Sequence, residues 1–141
     1  ITMRQSGAAI DERYLVEGEL TEASGREIAH HLLDLTPMPT AIMAGNDSMA
    51  IGVMKAIHER GMHVGSDVAV GGYDDIPAAA HLHPSLTTVR QPIFEIGKQL
   101  TEMLLARIAG EETSSTAVLI TPELLVRESS TSSPRLNGKR R

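Results

Sequence analysis

The sequence predicts an α/β fold built on a parallel sheet, and three observations carry that prediction. First, an apolar strand at 68–70 runs into two glycines and ends on a carboxylate pair, in Gly71-Gly72-Tyr73-Asp74-Asp75-Ile76-Pro77. Second, Pro39-Thr40-Ala41-Ile42-Met43-Ala44-Gly45-Asn46-Asp47-Ser48-Met49-Ala50 follows the same plan upstream: apolar strand, polar turn, helix. Third, apolar residues recur at the helical period between such strands, with Ile28, Leu32 and Leu35 in one stripe and Ile93, Ile96, Leu100, Met103, Leu104 and Ile108 in another. Strands alternating with helices imply crossover connections, and these place the strands parallel with both sheet faces covered.

Taken in order, residues 1 to about 20 read as the end of a helix, a turn and a short strand at 14–16. A helix follows over about 24–35; Thr21 and Ser24 offer capping hydroxyls, and Pro37 and Pro39 stop it. Residues 40–44 form a buried strand. Asp47 or Ser48 caps the next helix, which runs to about Arg60 and ends at Gly61, a residue suited to a left-handed C-cap. The second clear strand covers 67–72, and a loop rich in Ala and His leads to a further short strand at 86–89. Pro92 suits the first position of a helix reaching 109 and ended by Gly110. Short β segments at 117–120 and 124–126 finish the fold. Residues 128–141 turn Ser-rich and then basic, the composition of a disordered tail. Three to five strands are few for a complete doubly wound domain.

At 141 residues the chain is long enough to bury a core without disulfides or metal. It has no Cys, which removes disulfide, thiol and zinc-thiolate chemistry and fits a cytoplasmic protein. A formal net charge of −5 offers no general platform for DNA phosphates. No zinc-finger spacing, basic-region helix or helix-turn-helix is visible, and no apolar run is long enough to span a bilayer. The first residues, Ile1-Thr2-Met3-Arg4-Gln5, carry no signal peptide and do not look like a natural start. Signatures of catalysis are missing: there is no Gly-x-Ser-x-Gly elbow, no phosphate-binding glycine loop and no His-Glu-x-x-His. The sequence is therefore read as a non-enzyme that requires no cofactor.

Read together with Leu86-Thr87-Thr88-Val89-Arg90-Gln91-Pro92, the two strand-end motifs closely resemble the effector-binding half of LacI/GalR transcriptional regulators. The resemblance spans residues 1–127 and implies a periplasmic-binding-protein-like fold, represented mostly by its C-terminal lobe and incomplete. It further implies that the helix at 92–109 belongs to the other lobe and that the DNA-binding headpiece lies outside this chain. The function implied by the resemblance is that of a repressor-type regulator in the cytoplasm, binding a small sugar-like effector between two lobes. It would act as a homodimer and reach operator DNA through the absent headpiece, with no membrane partner. The alternative is a periplasmic sugar-binding protein of a transport system, which shares the fold.

Asp74 is the leading candidate ligand residue. It stands at a strand end, where ligands of open α/β sheets bind, and the resemblance puts a ligand-contacting Asp at this position. The competing reading is a turn cap. Asp75 is read as the turn-capping partner. Asn46 ends the preceding strand, where an amide can both donate to and accept from a hydroxyl; by resemblance it too contacts the ligand, although it also suits a turn. Gln91 lies at the lobe crossover, within reach of the crevice. Leu20 occupies the place where several family members stack an aromatic ring, and here it supplies an apolar wall without a π-face. Ile51 and Leu82 match regions that pack across the family's dimer interface. His81 and His83 share a face if extended but lack a third ligand, so no metal site is assigned. His30 and His31 are read as a solvated helix face.

Overall fold

The computed structural model describes residues 5, 7, 9, 11–110 and 117–131. The sheet has four strands in the order β1 (Ala41–Met43), β2 (Ala69–Asp74), β3 (Thr87–Arg90) and β4 (Glu123–Leu125). β1, β2 and β3 run parallel, and β4 returns antiparallel to β3. Helix α1 (Glu22–Leu33) precedes β1 and packs against helix α2 (Asp47–Glu59), which provides the crossover from β1 to β2, so the α/β, largely parallel architecture expected from the sequence is the one observed.

The core lies between the two helices and one sheet face. Ala29, Leu32 and Leu33 of α1, Ala50, Val53, Ala56 and Ile57 of α2, and Ile42, Val68, Val70 and Leu86 close around one another. Burying each larger aliphatic side chain contributes about 1.5–3 kcal/mol. α1 and α2 cross closely enough that a Cβ on Gly25 would strike the Met49 backbone and one on Gly52 the Glu22 carbonyl. Ion pairs between Arg26 and Glu59, Lys55 and Glu22, and Arg60 and Asp34 fringe this crossing. They are exposed and add little beside the apolar contact. His30 joins them rather than facing solvent alone: it lies 3.0 Å from Glu59 and accepts from Arg60 Nε at 3.2 Å.

Several boundaries differ from expectation. Residues 14–16 form no strand; a 3-10 turn at Glu12–Tyr14 stands there, capped by Asp11, and no described strand lies against the outer edge of β1. β1 is half open, with Ile42 buried and Met43 65% exposed, because helices cover only one of its faces. The Ala- and His-rich loop holds a 3-10 turn, Pro77–His81. Residues 117–120 form no strand, since the free edge of β3 is taken by β4. The tail expected from 128 does not begin there, because Glu128–Thr131 form a short helix, α4, with Ser129 fully buried. The Ser129 hydroxyl donates to Val70 O and accepts from Thr87 N, bridging β2 and β3. The rest of the expected tail, 132–141, lies outside the described residues. Helix α3 (Ile93–Ile108) has the predicted extent but buries none of its 16 residues, and Phe94 at its start is 86% exposed.

Candidate functional site

The candidate site is built where β1, β2 and β3 all end. Parallel pairing sets Met43 beside Gly71, so Asn46 and Asp74, each three residues further on, come to the same end of the sheet. Pairing of Asp74 with Arg90 brings Gln91 to that end as well. Gln91 Nε2 donates to Asp74 Oδ1 at 2.8 Å, so two of the sequence-predicted ligand residues are in direct contact. Leu20 joins from the segment before α1: its carbonyl accepts from Asn46 Nδ2 at 3.2 Å, and its side chain, 63% exposed, lies over Gly45. All four candidates therefore gather at one end of the sheet in two contacting pairs.

The backbone there is unusual. Asp74 has φ of 113° and Asp75 φ of 55°, two successive non-glycine residues in a region that L side chains rarely adopt. Such positions cost on the order of 1–3 kcal/mol each and persist where the surroundings impose them. The imposed frame is visible in Asp75. Its side chain, 11% exposed, does not cap the turn as expected; Oδ2 accepts from Arg90 Nε and Oδ1 from Arg127, each at 2.7 Å. Burial pushes the Asp75 carboxyl up, but the hydrogen bonds from Arg127 and Arg90 outweigh it and hold the group below the ordinary Asp value. Arg127 also donates to Leu86 O, and Thr87 Oγ1 bonds both the amide and the carbonyl of Arg127.

At the start of α2 the capping role falls one residue earlier than expected. Asn46, not Asp47 or Ser48, is the N-cap, its Oδ1 accepting from Met49 N at 2.9 Å. Asp47 faces inward and is fully buried, accepting from Thr88 Oγ1 at 2.6 Å and Ile76 N at 2.9 Å. Asn46 keeps one N–H and one oxygen lone pair beyond its bonds to other described residues, so capping and ligand contact are compatible. Sequence reading missed Asp47, Thr88, Arg127 and Ser129 as builders of this end of the sheet. The available signal was the pair of hydroxyls in Thr87-Thr88, which a buried strand accommodates only when polar partners await it.

Away from the crevice, Ile51 and Leu82 line one shallow groove with Met54, Lys55, His58 and His83. Among the described residues no group of three or more His, Cys, Asp or Glu is arranged to hold a metal, and no helix is long and apolar enough to cross a membrane.

The parallel sheet with polar residues gathered at its C-terminal end matches one family over nearly the whole chain. Residues 2–130 fit the periplasmic binding protein-like domain, and the chain belongs to that family. Within it, the similarities run to regulators, as the resemblance to LacI/GalR proteins implied. The chain is 33% identical over 132 residues to the HTH-type transcriptional repressor CytR of Escherichia coli (strain K12), covering 94% of this chain and 39% of that repressor. Among solved structures, it matches a LacI-family regulatory protein from Chloroflexus aggregans with 44% identity and a TM-score of 0.84, covering 91% of this chain and 46% of that one. It also matches the transcriptional regulator CelR in complex with cellobiose, with 36% identity and a TM-score of 0.82, over 91% of this chain and 39% of that one. The chain thus spans about two fifths of the repressor it matches.

Proposed function

We propose that this chain is the effector-sensing part of a LacI/GalR-type transcriptional repressor, acting in the cytoplasm and binding a small sugar or sugar derivative. The observation that carries the reading is the Asp74–Gln91 pair beside Asn46 at the C-terminal end of a parallel sheet. A carboxylate and two carboxamides supply both acceptors and donors, the complement a polyhydroxylated ligand needs, and each bond to a charged group contributes about 1.5–3 kcal/mol. Asp74 and Asn46 anchor hydroxyls, Gln91 orients Asp74 and reaches the ligand, and Leu20 supplies an apolar edge.

The exposed α3 supports its assignment to a second lobe that closes over the ligand. Residues 1–127 then form the C-terminal part of the effector domain. Ligand favours one lobe orientation, and a dimer contact through Ile51 and Leu82 passes it to a DNA-binding headpiece outside this chain. Such a switch requires different affinities in the two orientations, not tight binding alone. That the repressor CytR and the cellobiose-bound regulator CelR are relatives favours this reading over a transport receptor, and nothing at the sheet end calls for catalysis.

The test is a thermal-shift screen of mono- and disaccharides against the full-length protein, followed by operator-binding titrations. At least one sugar should raise the midpoint and change DNA affinity. A protein that no sugar stabilises would overturn the sugar assignment.

A further inference from the structure

The one fully buried carboxylate among the described residues belongs to Asp47, and its two partners are both neutral. Burying a carboxylate against neutral donors is costly, and the start of α2, where Asp47 sits, offsets only part of that cost. The chain also keeps a glycine in mid-strand to house it, because a Cβ on Gly72 would collide with Asp47 Oδ1. What this arrangement fixes is the turn after β2. Asp47 Oδ2 accepts from the Ile76 amide, and Asp47 Oδ1 holds the Thr88 hydroxyl, whose oxygen accepts from the Asp75 amide at 3.3 Å. These are the two amides immediately following Asp74. The Asp74 side chain itself is tied to Gln91 alone among the described residues, so the direction in which it leaves the chain depends on the backbone that Asp47 and Thr88 hold.

We propose that Asp47 is a positioning residue for effector recognition, holding Asp74 and Asp75 in the left-handed conformation from which Asp74 meets the ligand. The claim rests on Asp74 being a ligand contact, so its test separates the two. In the 141-residue chain without ligand, amide hydrogen exchange and the backbone carbon shifts of residues 74–76 are compared for the native sequence, Asp47→Ala, Thr88→Val and Asp47→Asn. Thr88→Val keeps the side-chain shape and serves where Asp47→Ala fails to fold. Both disruptive variants should speed exchange at Asp75 and Ile76 about tenfold or more and move the Asp74 shifts away from positive φ, while Val53 and Ile57 stay protected. Asp47→Asn should restore the native pattern, because its oxygen can accept from Ile76 while its amide donates to Thr88. Unchanged exchange at 75 and 76, or a rise spread evenly over α2, would overturn the positioning role. With ribose, glucose and cellobiose as probes, the disruptive variants should weaken sugar binding about tenfold. If Asp74→Ala leaves binding intact, or no probe binds, the sugar site falls while the ligand-free comparison still decides what Asp47 does.

Discussion

Asp74 offers one oxygen to Gln91, and the other has no partner among the described residues, so losing the carboxylate removes a charge-assisted bond from any hydroxylated ligand. Asp74→Ala is expected to weaken the effector response of the full-length protein tenfold or more, on the scale of about 1.5–3 kcal/mol; an unchanged dose-response curve sinks the assignment. Asn46 has a double duty that two substitutions separate. Asn46→Ala should cost about 1 kcal/mol in urea unfolding, because Met49 N loses its cap acceptor. Asn46→Asp keeps that acceptor and should unfold near the native midpoint while removing the N–H donor. Equal stability losses in the two variants would show that capping is not what Asn46 provides. Asp75 reports on pH. Its carboxyl is held below the ordinary Asp value of 3.8, so the stability it contributes is present above that value and disappears as pH falls through the lower native one. Asp75→Asn should therefore be less stable at pH 7 by about 1–3 kcal/mol, and the gap should narrow below pH ~3.8. Unfolding curves that keep a constant gap from pH 7 to 2 would refute this.

Among the elements, the crossing of α1 and α2 inverts a common expectation. Replacing a helical glycine by alanine normally gains up to about 1 kcal/mol. At Gly52 the added methyl meets the Glu22 carbonyl, so Gly52→Ala should instead destabilise by about 1–3 kcal/mol as the helices are forced apart; a stabilised variant would mean that the helices yield freely. Legibility in the sequence divides by distance along the chain. Helices α1, α2 and α3 and strands β2 and β3 were readable because their apolar periods and their proline and glycine boundaries are local. The strand-end carboxylates were readable for the same reason. The capping role of Asn46 and the burial of Asp47 were not, since neighbouring polar residues at a helix start differ only in which one faces inward. That choice is made by Thr88, 41 residues away. Ser129 misled in the same manner: a Ser-rich composition signals a solvated tail, yet its partner Val70 is 59 residues distant. The short strand read at 14–16 failed because strand character needs a neighbour, and no described strand pairs with the outer edge of β1.

For the molecule as a whole, the uneven distribution of burial predicts an uneven response to substitution. Leu104 on α3 is 59% exposed, and Leu104→Ala should change the unfolding free energy of this chain by less than about 0.5 kcal/mol. Leu86, fully buried beneath the sheet, should cost about 2–5 kcal/mol when cut to Ala. Comparable losses at the two sites, measured by urea denaturation, would contradict the placement of α3 outside the core. The ties from Arg127 and Ser129 to the sheet carry a consequence of another kind, concerning order in time. A ribosome delivers β2 and its carboxylate turn well before residues 127 and 129, so the nascent chain holds Asp75 without Arg127 and the gap between β2 and β3 without its bridging hydroxyl. Closing contacts so distant along the chain is slow. The candidate site is therefore completed late, and the ligand sensing proposed for it must await the synthesis of residues 127 and 129.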